Sequence, residues 1–355
     1  MKLPTFFLLF LTNICIAQEY KWFEQDLALK GNISSVGIFL LTTDEKQIPM
    51  EFRSFEKTGR ELLSKTYYNG RINTHIRHQY SKNQIATELC DYCEDLDKTF
   101  AQFSIKENQK YPYMGYVTDD PKRTLKMIKT TDARGNVLFS KTYTVDGYFT
   151  GEQRTTYDKN DKVLLEELYD DEGIKQKNYK KYTYNPDGFL KEEIVFENSY
   201  ERKNIFEYDE LGRKVLIKEF QGEYMTERSF EYKTEKDTAK VLMYLKHAND
   251  TLPSLYKTEM TFRKGDKKIL KSTNITQGIP NFISITEYDT QDNVISRKNY
   301  NSQNEFITDI SIEYDSKGNW ISMHVAQLVK VSHNRGPLTP EWQTKKYIRV
   351  IEYLL

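Results

Sequence analysis

One short phrase recurs along this chain. It reads YDDEGIK from Tyr169, YNPDGFL from Tyr184, YDELGRK from Tyr208, YDTQDNV from Tyr288 and YDSKGNW from Tyr314. Looser copies begin at Tyr157, Tyr232 and Tyr300, and FRKGDKKIL from Phe262 is a degraded one. The starts fall every 12 to 15 residues, or every 24 to 30 when taken in pairs. A fixed period of this kind marks a repeat architecture, in which each copy is one supersecondary unit stacked on the next.

Between the phrases the residues alternate. Ile310, Ile312 and Tyr314 share one parity and Ser311 and Glu313 the other; after the turn Ile321, Met323 and Val325 alternate with Ser322 and His324. Period two places successive side chains on opposite faces of a strand. Each unit is therefore a strand, a tight turn and a strand. The acid or amide after the tyrosine can bond its own backbone two residues on and start the turn. The glycines Gly173, Gly188, Gly212 and Gly318 supply a positive φ at little cost. Asp161 and Asp292 stand where glycine is missing, and Asp tolerates that region. The tyrosine is expected to cap the hairpin, its ring on the sheet face and its hydroxyl in water.

Phrases such as YDELGRK, YNPDGFL and YDSKGNW resemble the bacterial YD-repeat, or Rhs-type, pattern. The opening LALKGNISSVGIF is similar to the start of short exported proteins of that kind. The resemblance runs from about Tyr157 to Val325 and, more loosely, over the N-terminal third. It implies an antiparallel β array, curled into a shell in large members, which carry a self-cleaving motif and a toxin tip after the repeats. About 40 residues follow the last repeat here, so an encapsulating role is not expected. The resemblance brings no catalytic residues.

The first residues, MKLPTFFLLFLTNICIAQ, have a positive start, a short apolar run from Phe6 to Ile16 and small residues before Gln18. That is the layout of a secretory signal, and the run is shorter than the roughly 20 apolar residues that span a bilayer. The reading divides the chain into a signal peptide over 1–17, an N-terminal β region with degenerate repeats over 18–120, and the hairpin-repeat region with a closing strand over 121–355. SHNRGPLTPEW reads as a loop before that strand, KKYIRVIEYLL. After signal cleavage no integral membrane segment is expected, and the location is exported: periplasm, outer-membrane surface or outside the cell. Charged residues balance at 52 of each sign, which argues against a nucleic-acid binder with its basic stripe.

Four residues could make a tetrahedral metal site: His75, His78, Cys90 and Cys93. Export favours a Cys90–Cys93 disulfide instead, and in a strand residues three apart point to opposite faces. Adjacent acids, Glu166–Glu167, Asp170–Asp171 and Glu192–Glu193, face opposite ways on a strand and so do not form the acid pair a glycosidase needs. GxSxG, P-loop and HExxH motifs are absent from the sequence. The expectation is an all-β protein of repeated antiparallel hairpins in a long twisted or curled meander sheet, its edges blunted by Lys and Glu. It has no cofactor and no catalytic residue, and it acts as a non-enzymatic exported module that binds an envelope protein or polysaccharide or builds envelope structure. Alternatives are a carbohydrate-binding module, for which Trp22, Trp320, Trp342 and the tyrosines are candidates, and the remnant of a YD-repeat toxin shell.

Overall fold

The computed structural model describes residues 29–106, 124–197, 199–235, 238–262, 269–276, 278–332 and 338–354. The signal segment and the FRKGDKKIL turn lie outside them in whole or in part. Within the described residues are 22 strands and one turn of helix. The strands are β1 (Ile33–Leu41), β2 (Gln47–Phe55), β3 (Glu61–Tyr68), β4 (Arg71–Tyr80), β5 (Gln84–Asp91), β6 (Thr124–Thr131), β7 (Val137–Thr144) and β8 (Phe149–Tyr157). They continue as β9 (Val163–Tyr169), β10 (Lys175–Tyr184), β11 (Leu190–Glu197), β12 (Tyr200–Tyr208), β13 (Lys214–Gln221), β14 (Tyr224–Glu235) and β15 (Thr238–His247). The last are β16 (Ser254–Phe262), β17 (Ile269–Thr276), β18 (Ile279–Tyr288), β19 (Val294–Asn301), β20 (Phe306–Tyr314), β21 (Trp320–Ser332) and β22 (Leu338–Tyr353). The helix α1 (Leu96–Thr99) sits in the insertion after β5.

Every strand pairs antiparallel with the next in sequence, and β22 pairs antiparallel with β1 through eight positions from Ile33↔Tyr353 to Leu41↔Lys346. The sheet is a closed up-and-down barrel. Closure removes the edges altogether, so the expectation of charge-blunted edges is replaced by pairing. A second correction concerns the end of the chain. Thr339 to Trp342 belong to β22, paired with β21 from Ser332↔Leu338 onward, rather than to a loop. Pro49 and Pro280 lie inside strands, each beside a register shift, where a residue without an N–H is tolerated.

The turns follow the chemistry of the repeated phrase. The carboxylate of Asp158 accepts from the amides of Asn160 and Lys162, that of Asp209 from Leu211 and Arg213, and that of Asp315 from Lys317 and Asn319, all at 2.8–3.0 Å. The Lys162 amide holds the Asp158 carboxyl below the usual carboxylate range. Gly318 has φ +79°, and Asp161 and Asp292 take φ 64° and 69° in its place.

The tyrosines do something the spacing did not reveal. Their hydroxyls do not end in water. Tyr80, Tyr157, Tyr184, Tyr208, Tyr232, Tyr288 and Tyr314 donate to the carbonyls of Glu61, Val137, Val163, Leu190, Lys214, Ile269 and Val294, at 2.7–3.3 Å. Each tyrosine is at or near the end of an even-numbered strand. Each acceptor is the first residue of the odd-numbered strand before it, immediately after the preceding turn. The side chain thus staples one turn to the previous one around what we call the first rim. Each such bond contributes about 1 kcal/mol net. Burial pushes the phenols of Tyr157, Tyr184, Tyr208 and Tyr314 up, keeping them protonated donors. Tyr169 and Tyr300 belong to odd-numbered strands and point to the other rim. Tyr169 donates to Glu167 at 3.3 Å and lies under the Arg154 guanidinium.

The largest buried cluster sits at the seam. Val36 and Ile38 of β1 pack with Val294, Ile310, Ile312, Trp320, Met323, Val325 and Tyr347. The chain before β1 locks it. Lys30 donates its amide to Asn319 Oδ1 at 2.7 Å, and Asn319 Nδ2 donates to Lys30 O and to the Tyr353 hydroxyl, each at 2.8 Å. Tyr353 in turn donates to Asp315. Burial pushes the Asp315 carboxyl up, but bonds from Tyr353 and the turn amides outweigh it and leave the carboxyl below its usual range.

Candidate functional site: the second rim and the cysteine–histidine insertion

Both faces of the sheet carry charge. Glu192 and Glu193 point to opposite sides: Glu192 pairs with Lys203 and Glu193 accepts from Asn204 Nδ2 at 2.8 Å. Glu167 pairs with Lys175, while Glu166 accepts from Gln153 and Tyr182. These two pairs are therefore split across the sheet, each acid with its own partner, and do not converge on a cleft, whereas Asp170–Asp171 lie in the turn after β9, where Asp170 accepts from the Glu172 and Ile174 amides. A membrane-spanning barrel needs one face to be a continuous apolar band about 25 Å tall. Charged and paired residues interrupt both faces over β9 to β12.

The His/Cys candidates are divided in the same way. His75 pairs with Cys90 across β4 and β5, and both are buried. His78 faces the other side, its Nδ1 2.9 Å from Thr87 Oγ1 and its Nε2 3.8 Å from Glu61. The four residues do not meet at one point, and among the described residues no three His, Cys, Asp or Glu side chains are placed to hold a metal. The Cα atoms of Cys90 and Cys93 lie 5.9 Å apart and their sulfurs are bonded. The clip turns the chain out of β5 into α1, which Asp95 caps by accepting from the Lys98 amide at 3.1 Å. Leu96, Phe100 and Phe103 then cover Cys90. Beside them Glu88 holds two cations, Arg77 and, at 2.9 Å, Lys126. Gly147 lets the insertion return to the sheet: its φ is +88° and an added Cβ would lie 1.7 Å from Ser104 O.

Burial, with Lys65 nearby, pushes the His75 imidazole below its ordinary range; burial and Lys129 do the same to His78. The unfolded chain takes up these protons near pH 6.5, whereas the folded chain resists them. Their stabilisation is complete above that pH and declines as pH falls below it. The unfolding free energy is expected to drop between pH 7.5 and 5.5, by at most about 1.4 kcal/mol per pH unit per imidazole. The double variant His75→Gln/His78→Gln should flatten that slope in urea titrations. Equal slopes for the two proteins would remove the imidazoles from the account.

The two rims differ in what they show to water. On the first, the tyrosines are tied down, Phe189 stacks on Tyr208 with centroids 4.9 Å apart, and one turn tip, Leu211, is exposed at 77%. On the second, five consecutive hairpins each present one exposed apolar side chain: Ile174, Tyr200, Tyr224, Leu252 and Ile279, at 58%, 68%, 80%, 77% and 64% exposure. They stand at the entrances to β10, β12, β14, β16 and β18. Neighbouring tips are therefore two strands apart, about 10 Å. Tyr68 and Tyr92 are exposed on the same rim. Of the tryptophans named as candidates, Trp320 is buried and Trp342 is half exposed against Phe306; Trp22 lies outside the described residues.

No family model matches the chain. No curated protein matches it in sequence. Among solved structures it is similar to a porin-like protein from Bacteroides uniformis, at 8% identity and TM-score 0.30, over 91% of this chain and 99% of that one. It is also similar to the TcdB2-TccC3-Cdc42 structure, at 12% identity and TM-score 0.19, over 92% of this chain and 22% of that one. TM-scores this low identify neither a fold nor a role. What stands is the geometry: an all-β closed meander with one rim stapled by tyrosines and the other carrying a row of exposed apolar tips.

Proposed function

We propose that the protein is an exported, non-catalytic β-barrel module that joins the cell envelope through its second rim. The signal-like residues 1–17 support export. The observation that carries the reading is the asymmetry between the rims. Solvent-exposed Tyr, Leu and Ile recur at the tips of five neighbouring second-rim turns, whereas among the described residues of the first rim Leu211 alone is exposed to that degree; a regular row of such tips offers apolar surface to a partner. Tyrosine supplies large, rigid contact area at low entropic cost.

The test is fractionation of the exported protein. The wild type is expected with the envelope fraction. A variant with Ser at Ile174, Tyr200, Tyr224, Leu252 and Ile279 is expected in the soluble fraction, with its strand circular dichroism intact and its Tm within about 4 °C. An unchanged distribution would refute the reading. A polysaccharide partner is the second reading. A groove of about 270 Å³ lined by Gln153, Asn178, Tyr179, Lys180 and Phe196 favours it, with the Tyr179 and Phe196 rings stacked at 5.7 Å.

A further inference from the structure

The ladder between β9 and β10 is broken. Pairing passes from Lys175↔Tyr169 to Tyr179↔Glu167, so four steps along β10 answer two along β9. The other register shifts among the described strands add a single residue. Bulges re-aim side chains and recur beside functional sites. This one borders the groove of about 270 Å³, which also takes in Glu166, Leu168, Val195 and Glu197. That volume is just under the usual range for a ligand pocket and suits a single ring. The polar groups in it do not satisfy one another. Gln153↔Leu168, Glu166↔Lys180 and Lys180↔Val195 are cross-strand pairs, so these five side chains share one face of the sheet. Lys180 and Glu166 stand directly opposite each other yet form no ion pair. Glu166 is turned instead to Gln153 Nε2 at 3.2 Å and the Tyr182 hydroxyl at 3.0 Å. Lys180 and Glu197 have no hydrogen-bond or ion-pair partner among the described residues. Val195, 6% exposed, lies beneath them with Leu168 alongside.

An apolar floor ringed by hydrogen-bonding groups fits a sugar, whose ring has a C–H face and a polar edge. The charges narrow the choice. Two carboxylates and one ammonium leave the groove negative, so an acidic sugar is repelled and a neutral one leaves both carboxylates without a counter-charge. We infer that the groove binds an amino sugar whose amine is free and protonated, as one residue of a polysaccharide. Its ammonium lies between Glu166 and Glu197, its hydroxyls meet Lys180 and Gln153, and its C–H face rests on Val195 and Leu168. This deepens the polysaccharide reading and rests on it; the row of second-rim tips stays free for its own partner.

Isothermal titration of the processed chain compares three tetrasaccharides, of glucosamine, of N-acetylglucosamine and of glucose, with tetralysine as a cation that is not a sugar. The glucosamine oligomer is expected to bind at least about tenfold more tightly than the other three ligands. Glu197→Gln, whose carboxylate has no internal bond to lose, should remove that advantage and leave the glucose oligomer unchanged. Glu166→Gln should do the same, in protein shown by circular dichroism to be folded. Equal affinity for the three sugars would overturn the amine preference while leaving the polysaccharide reading in place. Tetralysine binding as tightly as the glucosamine oligomer would overturn the sugar and leave only a cation site. Binding by none of them would overturn both this inference and the polysaccharide reading. The five-serine variant of the second rim should bind the glucosamine oligomer like the wild type, and a loss there would place the sugar on the rim and overturn the groove.

Discussion

Trp320→Ala is expected to cost about 3–5 kcal/mol, the range for removing a fully buried large aromatic. Trp320 is 1% exposed and the largest fully buried side chain among the described residues. It starts β21, opposite Tyr314, and packs with Ile38, Ile312, Met323 and Tyr347 where the barrel closes. Its other face is covered by Arg349, whose guanidinium carbon is 4.5 Å from the ring centroid. Truncation would leave a void and take the aromatic face from a buried cation. Domains are commonly stable by about 5–15 kcal/mol, so the loss is a large share of the total. Trp320→Phe, which keeps a ring, should cost less than half as much. Urea unfolding followed by circular dichroism gives both numbers. A loss below about 1 kcal/mol for Trp320→Ala would mean that the seam is not where the stability lies.

The second large effect is at Asn319. Its side chain makes three bonds that join the start and the end of the chain: from the Lys30 amide, to the Lys30 carbonyl and to the Tyr353 hydroxyl. At 2% exposure, water cannot replace them. Asn319→Ala removes all three of these bonds, each contributing about 1 kcal/mol net; about 3 kcal/mol in all is expected. Asn293 is the built-in control. It occupies the same place in its own turn, four residues after Asp289, yet its acceptor serves only the Lys30 ammonium at 2.8 Å. Asn293→Ala should cost about 1 kcal/mol. Faster hydrogen exchange in β1 and β22 should accompany Asn319→Ala and not Asn293→Ala. Losses within about 0.5 kcal/mol of each other would show that the lock is not specific to the seam.

The local rules were legible and the global ones were not. Asp158, Asp209 and Asp315 announce their turns because the side chain bonds backbone two and four residues on, within a stretch any reader can see. Asp161 and Asp292 announce a positive φ for the same reason. The opposed faces of His75 and His78 follow from period two alone. By contrast, Tyr169 is spelled like Tyr208 but serves the other rim. The difference is whether an even or an odd number of strands has passed, and the blurred spacing of the first 120 residues hides that count. The tyrosine staple was missed because its acceptor is a backbone carbonyl 18 to 21 residues upstream, which leaves no trace in residue type. Asn319 reads like Asn136 and Asn293, and only contact with a residue 289 positions away gives it a distinct task. The second-rim tips went unseen for a simpler reason: Tyr200, Tyr224 and Ile279 look like any apolar residue next to a turn until the turns are lined up.

The pairing of β1 with β22 joins segments some 300 residues apart, and β22 is synthesised after every other described strand. Until it arrives, β1 and β21 both present unpaired backbone, a template for any other extended chain. A product cut short inside the sixteen residues of β22 would stay an open ribbon with two sticky borders. Pairing of β22 is therefore the event that turns an aggregation-prone intermediate into an inert one, and such contacts between distant segments are slow to form. Whatever shelters the nascent chain must do so until β22 has paired with β1.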